Sequence, residues 1–199
     1  RHRKRYCRIS KMTVTPDYAE NLKKLHERKS FGNRSKIPKE VLRCIEAYNV
    51  KSILDFGCGK GLVVAALREA FPNLLVYGYD PGRDGHSVLP SSVDMIISTD
   101  VLEHIEPELL DETLLDLAGR TNKVMYHLIA CHPAKKSLPD GRNAHLIVEK
   151  PEWWKNKLAS TLGWKMYNEK IHEYMAAVKK GPDIPVTKYT VTLEKNGNS

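Results

Sequence analysis

Apolar positions along this chain keep two different periods, and the switches between them predict its elements. Residues 16–29 place Tyr18, Leu22 and Leu25 on one face of a helix capped by Thr15 and opened by Pro16. Phe31-Gly32-Asn33 breaks it. A second amphipathic helix over residues 37–48 has Pro38 at its start and lines up Val41, Leu42, Ile45 and Tyr48. From Ser52 the period changes. Ile53, Leu54 and Phe56 make a short apolar run, interrupted only by Asp55, that reads as a buried parallel strand. It ends in Gly57, Gly59 and Gly61. Residues 60–70 follow as a helix whose packed face carries Val63, Val64, Leu67 and Ala70.

The alternation continues. Residues 74–79 form a second buried strand closed by Asp80, residues 93–98 a third and residues 123–130 a fourth. A helix over 107–119 turns Leu109, Leu110, Leu114 and Leu117 toward the sheet. Another over 151–162 aligns Trp154, Leu158 and Leu162 and stops at Gly163. Residues 164–178 read as a strand. Tyr189, Val191 and Leu193 alternate with polar residues, the pattern of a strand with one wetter face, and the two strands are expected to pair as an antiparallel hairpin. Strands alternating with helices predict an α/β fold, a Rossmann-like, mostly parallel sheet flanked by helices. Two stretches keep neither period. Residues 81–92 are rich in Gly, Pro and Ser, and residues 131–150 form a long polar loop containing Gly141-Arg142-Asn143-Ala144-His145. Loops of that length in a compact domain are usually functional or mobile.

Composition adds bounds rather than detail. With 199 residues and 41% hydrophobic content, the chain divides into a basic arm over residues 1–15 and one domain over 16–199, in which 16–48 hold the amino-terminal helices and 49–199 the core. No apolar run approaches the ~20 residues that span a bilayer, so a cytoplasmic protein without a membrane partner is expected. Cys7, Cys44, Cys58 and Cys131 are scattered, with no Cys-x-x-Cys spacing. That predicts reduced thiols and no metal site. The net charge is +8, and Arg1, Arg3, Lys4, Arg5, Arg8 and Lys11 crowd the first eleven residues. Such an arm either neutralises phosphates on a nucleic acid or is a solvated tail.

The glycine turn carries the chemistry. Gly57, Gly59 and Gly61 let the backbone approach a ligand closely, and the helix that follows offers unpaired N–H groups to negative charge. A right-handed βαβ unit brings Asp80 to the carboxyl edge of the sheet beside that turn. A dinucleotide fingerprint would need glycine three residues after Gly59, where Leu62 stands. No Gly-x-x-x-x-Gly-Lys-Ser/Thr occurs, which argues against a nucleoside triphosphatase.

Asp55-Phe56-Gly57-Cys58-Gly59-Lys60-Gly61, Asp80 closing the second strand, and Asp94 to His104 in Val-Asp-Met-Ile-Ile-Ser-Thr-Asp-Val-Leu-Glu-His resemble the class I S-adenosylmethionine-dependent methyltransferases. The resemblance spans residues 37–193. It implies S-adenosyl-L-methionine as cofactor, bound by Asp55, Gly57, Cys58, Gly59, Asp80, Pro81, Asp100 and Val101. Gly57 and Gly59 would lie against the methionine part, Asp55 would bind its amino group, and Asp80 would accept the two ribose hydroxyls. Asp100 and Val101 would face the methyl donor. In that family a helix and another strand usually follow the ribose acid. Only twelve residues, 81–92, stand there, so the sheet is expected to be one strand short of the usual seven.

His104 is the candidate base, since an unperturbed imidazole titrates near neutrality; the alternative is a histidine that packs or caps at a helix start. His132, Arg142 and His145 on the long loop are candidate acceptor-binding residues. Amino-methylating DNA enzymes of this fold carry Asn/Asp-Pro-Pro-Tyr/Phe where this chain has Ser-Thr-Asp-Val, and none of the four cysteines follows a proline as cytosine-5 chemistry requires. Methyl transfer to an O or N atom of a small molecule is therefore the main expectation. RNA or another polyanion is the runner-up acceptor, and a scaffold that binds the cofactor without transferring its methyl group is the non-enzymatic alternative.

Overall fold

The computed structural model describes residues 14–26, 35–83, 85–86, 88–177 and 182–197, with the side chains of Leu25 and His26 outside that description. The cluster of basic residues before Thr13 and the break at Phe31-Gly32-Asn33 lie outside the described residues. Six strands form one sheet in the order β2-β1-β3-β4-β6-β5. They are β1 (Ser52–Phe56), β2 (Leu75–Tyr79), β3 (Val93–Thr99), β4 (Thr121–Ala130), β5 (Lys165–Ala176) and β6 (Ile184–Glu194). The first four are parallel; β6 runs antiparallel between β4 and β5. Both the α/β architecture and the closing hairpin match expectation. So does the short sheet, because β2 is an edge strand and leaves Leu75 and Tyr77 exposed.

Helices α1 (Pro16–His26), α2 (Lys39–Ala47), α3 (Leu62–Ala70), α4 (Leu110–Arg120) and α5 (Pro151–Leu162) flank it. Strand alternation sorts the core into two layers. Leu54, Ile96 and Met125 point to one face and pack with Leu114, Leu117, Trp154 and Leu158 of α4 and α5. Ile53, Met95 and Val124 point to the other and pack with Val41, Ile45, Val63 and Leu67 of α2 and α3. Burial on both faces is why these strands read as continuous apolar runs.

Four expectations need correction. Pro38 caps α2, so that helix begins at Lys39 and not at Ile37. Gly61 adopts φ +71 and caps α3, so the helix begins at Leu62 and not at Lys60. Pro107–Leu109 is a 3₁₀ turn, and α4 starts after it. The wetter face expected on β6 is dry: Thr190 and Thr192 are buried along with Tyr189, Val191 and Leu193; α2 brings Cys44 over Thr192, and Thr190 lies against His172 of β5.

Candidate active site

All four parallel strands end at one edge, and the strand order reverses between β1 and β3. Open α/β sheets bind ligands in the crevice at such a reversal. The turn leaving β1 takes positive φ at Gly57, Gly59 and Gly61. Its Gly57 and Cys58 N–H groups both donate to the Tyr79 carbonyl, at 2.7 and 2.9 Å, and so fasten it to the end of β2. Asp80 comes next and is buried. One of its carboxylate oxygens accepts from the Gly59 N–H and the other from the Gly82 N–H, each at 2.9 Å. The Asp80 N–H in turn donates to the His86 carbonyl at 2.8 Å, which holds His86 beside the glycine turn. Asp55 is buried at the end of β1. Burial, with the charges of Asp55 and Asp80, pushes the Cys58 thiol up to about 12, so it is an inert packing group.

A second turn leaves β3. Asp100 sits at φ +56, its N–H donates to the Leu128 carbonyl at 2.8 Å, and its Oδ1 accepts from the Lys188 ammonium at 2.6 Å. Leu102–His104 is a 3₁₀ turn that buries Glu103 completely. Glu103 Oε1 accepts from the Ala130 N–H at 3.0 Å, while its Oε2 is buried without a hydrogen-bond partner among the described residues. Burial and the adjacent Asp100 charge raise the Glu103 pKa far above the usual carboxylate range.

His104 meets the long loop. Its Nδ1 donates to the Ala144 carbonyl at 2.6 Å, and the His145 Nδ1 donates to the carbonyl of His132. His132 Nδ1 donates to the Thr187 carbonyl at 2.9 Å. A carbonyl only accepts, so each of these rings carries a proton on Nδ1, and a neutral ring so held keeps its lone pair on Nε2. The rings of His104 and His145 stand edge to face at 4.8 Å, those of His132 and His145 at 5.6 Å. Burial, reinforced by His145, lowers the His104 pKa to about 4, and burial also lowers that of His145. Both are neutral near pH 7.

The three candidate histidines of the sequence thus come together; Arg142 and Asn143 have other partners. Arg142 forms an exposed ion pair with Asp140 at 2.7 Å. The Asn143 amide is spent inside the loop, accepting from the Ala134 and His145 N–H groups and donating to the Ala134 carbonyl. Trp154 is a core residue and Trp153 is partly exposed beside it. Glu103 and Lys188 escaped the sequence reading. The signal for Glu103 was its place in Asp-x-x-Glu-His, one residue before the histidine singled out.

Comparison with known proteins agrees with this geometry. A stretch of 82 residues is 27% identical to the uncharacterized protein MG259 homolog of Mycoplasma pneumoniae, taking in 41% of this chain and 17% of that protein. TehB from Haemophilus influenzae superposes with a TM-score of 0.52 at 20% identity, over 82% of this chain and 64% of its own. Magnesium protoporphyrin IX methyltransferase (ChlM) from Synechocystis PCC 6803, solved with bound SAH and with bound SAM, gives 0.55 at 16% and 15% identity. With SAH bound, the match covers 90% of this chain and 97% of that one. At these identities the likeness is one of fold. The model of the methyltransferase domain matches residues 18–174, most of the chain, and this protein belongs to that family.

Proposed function

We propose that this chain transfers the methyl group of S-adenosyl-L-methionine to an O or N atom of a small-molecule acceptor. The observation that carries the reading is the meeting, at one sheet edge, of the Gly57 turn, the buried Asp80 carboxylate and the turn from Asp100 to His104. In this reading Gly57, Cys58 and Gly59 present backbone to the methionine part, and Asp55 binds its amino group. Asp80 accepts the ribose hydroxyls with Pro81 beside it; each carboxylate oxygen can take a second hydrogen bond besides the one from Gly59 or Gly82. Asp100 and Val101 flank the methyl donor. His104, His132 and His145 wall the acceptor side, and Arg142 stands farther out as a contact for an anionic group.

The sulfonium is already a good methyl donor, so alignment is the main task of the protein. A lone pair on the acceptor forms the new bond to the methyl carbon, the carbon–sulfur bond breaks toward sulfur, and the acceptor gives up a proton. With a pKa near 4, His104 is a weak base. It serves better by turning its Nε2 lone pair toward the acceptor side than by taking the proton outright.

Incubation with methyl-labelled cofactor and separate pools of small metabolites, RNA, DNA and protein tests this. Label in the small-molecule fraction, resistant to nuclease, is expected. Label released by nuclease would replace the acceptor with a nucleic acid, and cofactor binding with no transfer to any pool would make the chain a scaffold.

A further inference from the structure

We propose that Glu103, His104 and His145 form a divalent-cation site on the acceptor side of the glycine turn. One donor atom from each lies within 4.8 Å of the other two. Cysteine and histidine spacing gave no hint of it, because the ligands come from a 3₁₀ turn and from a loop some forty residues later.

Three features mark the cluster as built for a cation. Both imidazoles donate Nδ1–H to a backbone carbonyl, His104 to Ala144 and His145 to His132. This is the outer contact that metal-bound histidines almost always make, since it fixes the ring and puts the lone pair on Nε2. Glu103 is oriented in the same way: Oε1 takes the Ala130 N–H, while Oε2 is left buried with no hydrogen-bond partner among the described residues. A buried carboxylate oxygen in that condition is costly unless something positive or proton-bearing meets it. The segment carrying His145 is also tied directly to the 3₁₀ turn, by the Ile147 N–H on the Glu103 carbonyl at 3.0 Å. The ligands therefore share one rigid frame.

Chemistry narrows the ion. Two imidazoles and one carboxylate favour Zn²⁺, Co²⁺, Fe²⁺ or Mn²⁺ over Mg²⁺ or Ca²⁺, which prefer oxygen. Tetrahedral bonds of about 2.1 Å separate ligand atoms by about 3.4 Å, so side-chain movements of about 1 Å close the cluster. Three protein ligands leave a position open, the arrangement of a catalytic rather than a structural site. Asp100 adds negative charge nearby, partly offset by Lys188.

The role of the cation rests on the methyl-transfer reading above; its binding does not. At the open position it would hold a hydroxyl oxygen of the acceptor and ease loss of its proton to solvent. That oxygen then forms the bond to the methyl carbon as the carbon–sulfur bond breaks, leaving a neutral thioether. The acceptor is thereby assigned to the hydroxyl compounds, and the transfer to oxygen.

Cobalt provides a readout independent of turnover. Protein stripped with a chelator is titrated with Co²⁺, followed by its visible absorption and by calorimetry, and then challenged with Zn²⁺. One Co²⁺ per chain with micromolar affinity is expected, displaced by Zn²⁺, with affinity lowered about tenfold or more in His145→Ala and in Glu103→Gln. His145→Ala lies on a loop, so it carries the test if Glu103→Gln fails to fold. S-adenosylmethionine affinity, measured on the same samples, should be unchanged in His145→Ala. Absence of saturable one-to-one binding, or cobalt affinity equal to wild type in His145→Ala, would overturn the site. A protein that binds the cofactor and no cobalt loses the cation alone; one that binds cobalt and no cofactor loses the methyl-transfer reading alone.

Discussion

A Cβ atom placed on Gly57 would stand 2.4 Å from one γ-carbon of Val101 and 2.6 Å from the other. The turn that leaves β1 and the turn that leaves β3 thus touch through the absence of a side chain. Gly57 also sits at φ +76, where an L-residue is strained. The two sides of the candidate site are held in register by this contact, so a change on one side moves the other.

Gly57→Ala should therefore destabilise the protein twice over. The left-handed backbone costs about 1–2 kcal/mol for alanine, and overpacking against Val101 adds about 1–3 kcal/mol. Adding Val101→Ala should recover the second part and leave the first. Urea unfolding of the two single variants and the double variant measures this; identical midpoints for Gly57→Ala with and without Val101→Ala would mean that the overlap is relieved elsewhere.

Asp80→Ala removes a carboxylate that accepts from both Gly59 and Gly82. If that carboxylate also takes the ribose hydroxyls, cofactor affinity should fall by about 1.5–3 kcal/mol, the usual worth of a hydrogen bond to a charged group. Calorimetric titration checks the affinity, with melting temperature followed in parallel because the turn itself is loosened. Lower melting temperature with unchanged affinity would reduce Asp80 to a structural clamp.

Legibility in the sequence followed locality. The strands β1 to β4 were readable because burial on both faces makes them short apolar runs, and the glycine turn because its parts are contiguous in the chain. Helix starts were misjudged by about two residues wherever a residue allowed in a helix instead capped it, as Gly61 and Pro38 do. The acceptor side was only half visible. His104, His132 and His145 were named separately, but the bonds that assemble them run through the carbonyls of Ala144, His132 and Thr187. Backbone acceptors leave no mark in a side-chain pattern. The burial of Thr192 was hidden for a similar reason: it depends on α2 bringing Cys44 over the far face of the sheet.

The amino-terminal helix offers a separate test. Glu106 accepts from the Thr15 N–H and from the Thr15 hydroxyl, each at 2.8 Å, while the same Thr15 oxygen caps α1 by accepting from the Tyr18 N–H at 3.3 Å. Tyr18 and Leu22 of α1 then pack on Leu138 and Ala144 of the long loop. Glu106→Ala should release this clasp at a cost of about 1.5–3 kcal/mol. Amide exchange should accelerate across α1 and around Ala144 while the sheet stays protected; uniform acceleration through β1 and β3 would show instead that Glu106 supports the whole fold.

His127 gives the pH prediction. It is fully buried on β4, its Nδ1 is 2.8 Å from the Ser98 hydroxyl, and burial pushes its pKa down from 6.5 to about 4. The unfolded chain takes up a proton as pH falls through about 6.5, whereas the native state refuses it until about 4. The stabilisation from a neutral His127 is therefore complete above the unfolded value and is lost between about pH 6.5 and 4. In His127→Asn that contribution disappears. The wild type's unfolding free energy should fall more steeply than the variant's over this window, the gap between them changing by on the order of 3 kcal/mol. Other buried histidines are common to both proteins and cancel in the comparison. Parallel pH profiles from urea unfolding would mean that His127 titrates in the native state as it does in the unfolded chain, which would require solvent to reach it between β3 and β4.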